Sequence, residues 1–431
     1  MELKTAAGFL ETILREKNID KYTYTLSQSE KQELNLENGG FKLMRTVFDN
    51  DCTLSVFMGT RTGSVHGNDM TEKGLEKLTG DAAAAAEAAA EDPCHDIAPY
   101  QGKDVFRQGV YEPDMDRFIE RIGEFLDTVS RDYPEVKIMA GIGSYDRWRW
   151  ISRNTNGTQF EAFAGQYSFS VEICASDGER TTGIDYTGVC MKDLDTPFIE
   201  MGDMRRRLED IRNSIRPETL EGKFEGPVII TPGCAVELMY MTMMNFIGEG
   251  VVINGTSQWL DKVGEKVADE NLTVSLKPYD DRIVMGERAT HSGFRSEDVT
   301  LIGGGVLKTH LLSLYGANKT GRPVVKNTGF DLVVEPGDTS LDEMIASVDR
   351  GLILGGFSGG EPGANGEFSG VAKNSFLIET GRVKCAVTET MVNGNLGEIW
   401  NNIRGISREL LRDGRCVVPY IAVNGIVISG K

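Results

Sequence analysis

The chain has 431 residues, enough for two or three domains of ordinary size, and a formal net charge of −19 from 65 acidic and 46 basic residues. Neutralising phosphates takes Lys and Arg, so this balance argues against direct nucleic-acid binding; no stretch approaches the ~18 apolar residues of a membrane span. Seven scattered cysteines without a Cys-x-x-Cys pair, and an amphipathic N-terminus mixing acids with bases, lead us to expect a soluble cytoplasmic protein with reduced thiols.

In chain order, Leu3, Ala6, Phe9, Leu10, Ile13 and Leu14 mark one face of a first helix. Strand-like segments follow at 21–36, 41–48 and 53–59, with a turn at Arg61-Thr62-Gly63-Ser64. An Ala-rich helix then covers roughly 71–91 and is stopped by Pro93. A second set begins at Pro113, with Met115, Phe118, Ile119, Ile122, Phe125, Leu126 and Val129 at helical spacing. Its strands are 146–153 and 158–164, joined across the hairpin signal Asn156-Gly157, then 167–175. A helix over 201–214 closes this set before Pro217. Helix, strands, helix thus occurs twice, which suggests an internal duplication of structure without repeated sequence. The run Arg205-Arg206-Arg207, between Asp203 and Glu209-Asp210, reads as a solvated helix face.

The polar segment 217–226 reads as a boundary. Beyond it lie a strand at 228–231 and a Met-rich helix over 233–247, whose Met239, Met241, Met243 and Met244 read as helix core. Short apolar strands punctuated by Gly, Asn and Asp then run to the end, interrupted by helices at 339–350 and 397–411. The expected fold is α+β: an N-terminal half of helices and antiparallel sheet, and a C-terminal domain of mostly antiparallel β with a few helices. The expected domains are 1–100, 101–221 and 222–431.

Three patterns in the chain bear on chemistry. Gly356-Phe357-Ser358-Gly359-Gly360 matches the G-x-S-x-G of a nucleophile elbow, which needs a strand before the serine and a helix after it. The following GGEPGANGEFSG cannot be a helix, so we expect a loop between strands. The same glycines precede no lysine and open no helix, so they form no phosphate loop. The four histidines (His66, His95, His291, His310) lack the spacing of a metal site, and no cysteine is suitably spaced from them.

The segment 365–396 resembles the C-terminal hallmark of the TldD/PmbA family. Its T-G-[DE]-[FY]-S, I-E-[NT]-G and G-N-[LM] correspond to Asn365-Gly366-Glu367-Phe368-Ser369, Ile378-Glu379-Thr380-Gly381 and Gly394-Asn395-Leu396, with Asn365 departing from the usual Thr. Leu301–Lys308 resembles the family's L-I-x-x-G-V-L-K, Asp280-Asp281 its D-D-P with Arg282 for Pro, and Ile426–Lys431 its last strand. One kind of subunit in that family carries H-E-x-x-x-H on the first helix of the C-terminal domain, supplying two zinc ligands and a general base. Here that helix places Tyr240, Met241 and Asn245 in those positions. Without imidazoles and the glutamate, the slot offers neither zinc ligands nor a base.

The resemblance therefore implies a TldE/PmbA-like subunit of a cytosolic zinc metallopeptidase acting on unfolded or leader peptides. No metal is expected in this chain, zinc being expected in a TldD-like H-E-x-x-x-H partner. Gly366, Glu367, Phe368 and Ser369 become candidate peptide contacts, with the extended peptide held by strand addition. A homodimer is expected in isolation. Two other readings remain open: a self-associated peptidase with ligands drawn from His291, His310 or a cysteine, and a non-enzymatic interaction protein of the DNA gyrase modulator type.

Overall fold

The computed structural model describes residues 1–360 and 362–431. Helix α1 (Leu3–Glu16) buries Leu3, Ala6, Leu10, Ile13 and Leu14. Strands β1 (Lys21–Glu37), β2 (Gly40–Met58) and β3 (Arg61–Gly67) follow, then α2 (Glu72–Ala88). Thr71 caps α2, its hydroxyl accepting from the Gly74 N–H at 3.1 Å. After β4 (Lys103–Gly109) the order recurs: α3 (Met115–Asp132), β5 (Val136–Asn154), β6 (Gln159–Ala175), β7 (Asp185–Met191) and α4 (Met204–Asn213). Helix, three strands, helix is therefore present twice in the structure.

The two sets meet at an antiparallel β1–β5 pairing inside one seven-stranded sheet, ordered β3-β2-β1-β5-β6-β4 with β7 also on β6. Segments 1–100 and 101–221 thus share a continuous sheet. β4 joins β6 in parallel, the one departure from an antiparallel pattern in it. Side chains alternate along a strand, so even-numbered residues of β1 share a face. Toward one end of that face Tyr24 and Leu26 pack under α1 and α2; toward the other, Leu34 and Leu36 pack under α3. Two sequence expectations change here. Residues 41–48 and 53–58 belong to one strand, β2, with Gly59 in the turn after it, and the expected turn at 61–64 begins β3.

On the sheet's other face, Phe106 and Trp150 pack with Ala289, and Gln108 Nε2 donates to the Gly286 carbonyl at 2.8 Å. Those contacts join the N-terminal half to the C-terminal one. There, α5 (Pro232–Thr242) lies in a core built from both an eleven-stranded and a five-stranded sheet. The five-stranded sheet runs 356–360, 367–373, 391–395, 427–429, 223–225. The helix expected over 397–411 is replaced by a four-residue helix, Leu396–Ile399, and the strand Ile403–Arg412. The helix expected over 339–350 is confined to Leu341–Ala346. The expected α+β class describes the molecule, with short helices and mainly antiparallel strands in its C-terminal half. Among the described residues no helix is long and apolar enough to cross a membrane.

Candidate functional site

Thr231 caps α5 and Pro232 opens it, where a missing N–H costs nothing and the fixed φ suits a first turn. Cys234, Ala235, Leu238 and Met239 point into the core. The helix then widens into a π-helical turn, Met243–Ile247, a local distortion that is common at functional sites. Trp400 holds this end, its Nε1–H donating to Thr242 Oγ1 at 2.8 Å, while Phe246 packs 4.7 Å from the Trp259 ring. Glu237 and Met244 are left exposed and Met241 half-buried. Of the methionines expected to be core, Met239 and Met243 are buried, but Met244 is 68% exposed, seven residues after the exposed Glu237 and on the same helix face.

The three slot residues make contacts within the protein. The Tyr240 hydroxyl donates to the Phe330 carbonyl at 2.9 Å, and burial pushes its phenol up to about 12. Asn245 Nδ2 donates to the Met241 carbonyl, one turn back, at 2.9 Å. Met241 offers only a thioether. A high-pKa phenol, a thioether and an amide do not make a zinc-ligand set, and none of them can serve as a carboxylate base. Phe330, which sequence reasoning missed, is 72% exposed beside Tyr240. Next to it Asp331 accepts from the Glu287 N–H at 3.1 Å, and burial raises its carboxyl above the usual range.

Gly366 meets the far end of this helix. It has φ +76°, and a Cβ there would stand 2.7 Å from Phe246 Cζ, the residue after Asn245. The Leu396 N–H donates to its carbonyl at 2.9 Å, and Asn395 Nδ2 donates to Asn365 O at 2.8 Å, so the turn is tied to the strand 391–395. Glu367 and Ser369 are exposed, Ser369 Oγ donating to Asn393 Oδ1 at 2.5 Å. Phe368 is instead buried against Phe357, with ring centroids 5.3 Å apart, and belongs to the core rather than to a peptide contact. The reason is alternation: residues 367 and 369 of the strand face out, so 368 faces in.

The glycine-rich stretch around Ser358 is not a plain loop. Residues 356–360 form an edge strand paired with 367–373, and Glu361 lies outside the described residues. Ser358 is exposed and, among the described residues, followed by further strand and turn instead of the helix an elbow needs. The histidines are dispersed in role: His66 beside Asp51 at 3.1 Å, His95 stacked on Tyr315, and His310 buried with Nε2 3.1 Å from the Trp259 carbonyl. Among the described residues no group of three or more His, Cys, Asp or Glu is placed to hold a metal ion.

The arginine run departs from its expected solvated face. Arg205 is at the surface with Glu200, but Arg207 lies between Asp203 (2.8 Å) and Asp185 (3.4 Å), and Arg206 pairs with Asp210 (3.1 Å) near the Tyr420 ring. Helix α4 packs against the C-terminal half at this point, and the acids flanking the run in sequence neutralise it there.

Residues 222–430 match the family model described as the PmbA/TldA metallopeptidase C-terminal domain. The chain belongs to the PmbA/TldD family. It is 23% identical to the metalloprotease PmbA of Escherichia coli O157:H7, over 86% of this chain and 85% of that one. A metalloprotease of Methanocaldococcus jannaschii is likewise 23% identical, over 90% of each. The fold is similar to that of TldE from Thermococcus kodakarensis, with a TM-score of 0.86 and 21% identity over 98% and 100% of the two chains. It is also similar to a proposed modulator of DNA gyrase from Bacteroides thetaiotaomicron, with a TM-score of 0.85 and 21% identity over 99% of each. This is a metalloprotease-like protein of that family.

Proposed function

We propose that this chain is the TldE/PmbA-like subunit of a two-subunit cytoplasmic metallopeptidase, holding an extended peptide while an H-E-x-x-x-H partner supplies the zinc and the base. The observation that carries this reading is the α5 slot, where Tyr240 and Asn245 are engaged by carbonyls of the protein itself. The edge strand 356–360 supports the peptide role. Among the described residues its outer side has no strand neighbour, and Ser358, Gly359 and Gly360 are exposed and small, so another extended backbone can approach closely. The half-buried Met241 and the exposed Met244 and Phe330 offer apolar contacts for alternate side chains of such a peptide.

Assembly has its own support on β2. Its stretch beyond β3 is an edge on which Phe41, Leu43, Met44 and Val47 are each more than two-fifths exposed. A long apolar edge of this kind associates unless it is covered. We read it as the subunit contact, used for self-pairing when the partner is missing. The test is to purify the chain alone and then mix it with an H-E-x-x-x-H homologue from the same source. The expected result is a homodimer by light scattering, converted to a heterodimer with chelator-sensitive peptidase activity. A monomer at tens of micromolar, together with no activation by such a homologue, would overturn the reading.

A further inference from the structure

Where the two N-terminal repeats meet, the helix-bearing face of the sheet is uncovered between the core under α1 and α2 and the core under α3. One cross-strand row there reads Arg107 (β4), Phe163 (β6), Arg149 (β5), Gln28 (β1), Asn50 (β2). The Arg107 and Arg149 guanidiniums sit 4.8 and 5.0 Å from the centroid of the Phe163 ring. In the next row Arg147 lies 5.5 Å from the Tyr111 ring, which itself meets Phe163 edge-on at 5.8 Å. Three guanidiniums stand against two carboxylates here, Glu30, which pairs with Arg147, and Asp49 at the groove's β2 side. Among the described residues Arg107 and Arg149 have no ion-pair partner, and Arg149 Nε is buried without a hydrogen bond. Gln28, Asn50, Tyr111, Arg147 and Arg149 line a groove of about 260 Å³ at this place.

We propose that this groove binds an acidic peptide segment in a polyproline-II conformation, with two carboxylates three residues apart. Rings hold the guanidiniums flat, and a flat guanidinium presents its N–H edges as a fork to a carboxylate. Arg107 and Arg149 lie two strands apart, about 9.6 Å at the usual strand spacing. A polyproline-II chain repeats every three residues, about 9.3 Å, so its carboxylates at i and i+3 fall on one side at the matching distance. Aromatic walls suit that helix, and the Gln28 and Asn50 amides can meet the solvated carbonyls it leaves free. The negative charge of the whole molecule does not forbid this, because charges farther than ~8 Å are screened at physiological salt.

The test uses the full chain and a labelled, end-capped peptide Pro-Glu-Pro-Pro-Glu-Pro, read by fluorescence anisotropy. Binding is expected to weaken about tenfold in Arg107→Gln and in Arg149→Gln. Arg149→Lys should fall between, since it keeps the charge and loses the fork. The Glu-to-Gln peptide should not bind, and raised salt should weaken the complex. Arg107 is exposed, so Arg107→Gln should melt with the wild type and separate loss of binding from loss of fold. No binding at millimolar peptide, binding by both Gln variants as tight as by the wild type, or pyrophosphate competing as well as the peptide would overturn the proposal.

Discussion

Strands β2 and β5 of the N-terminal sheet each run for 19 residues, whereas among the described residues the longest strand of the C-terminal half has 10. Long strands build a broad surface that four helices cover only in part, leaving a groove on one face and an open edge on β2. Short strands in two sheets instead close around α5, and the glycines between them sit against neighbouring atoms. The first arrangement leaves room for binding surfaces, and the second fixes the position of one helix. Substitutions should therefore be tolerated at exposed positions of the first region and resisted in the second.

The largest effect is expected at Gly366. Valine there needs a left-handed backbone and drives a side chain into Phe246, so Gly366→Val should cost about 3 kcal/mol or more. Gly40→Val, at the exposed start of β2 with nothing nearer than 3.8 Å to its Cβ, should change stability by less than ~0.5 kcal/mol. Urea midpoints of the two variants measure the contrast. Similar losses in both would erase the distinction between the regions.

Trp400→Phe is next. It removes the indole N–H that reaches Thr242 and leaves space in a buried site, for a loss of about 2 kcal/mol by chemical denaturation. An unchanged midpoint would mean that Trp400 does not fix the end of α5.

A smaller effect should appear with pH. Hydrogen bonds from the Arg282 side chain hold the Asp280 carboxyl down to about 2. A depressed carboxylate stabilises fully above its unfolded value of about 4, and that contribution is lost as pH falls toward 2. The wild-type midpoint should therefore drop more between those values than that of Asp280→Asn. Parallel curves would remove Asp280 from the acid response.

The smallest effect is Ser358→Ala. Exposed on an edge strand, it should shift stability by less than ~0.5 kcal/mol and leave partner-dependent peptidase activity unchanged. Loss of that activity would revive a serine nucleophile.

Much of the N-terminal half was legible because periodicity and burial agree there. The apolar positions of α1 and α3 repeat at helical spacing, and Asn156-Gly157 marks the β5–β6 turn. The sequence suggests two strands, 41–48 and 53–59, where the structure has one; the intervening polar Asp49, Asn50 and Asp51 lie on the open edge of β2, where they are solvated without ending the strand. In the C-terminal half, Ile403, Ile406, Leu410 and Leu411 imitate a helical period. They lie in a strand whose register against 417–423 shifts twice, between 403 and 405 and between 406 and 410, which breaks the two-residue alternation. At the candidate site, the replacements in the slot could be read from the motif. Phe330 could not, because nothing local to it signals that Tyr240 folds against its carbonyl.

The most direct test of the central claim is zinc stoichiometry of the purified chain by elemental analysis after dialysis against a weak chelator. Because Tyr240, Met241 and Asn245 offer no zinc-ligand set, the chain should retain well under ~0.1 zinc per molecule, as expected where the donors that hold zinc are missing. Retention of about one tightly bound zinc per chain would contradict the account and require a metal site that these residues do not provide.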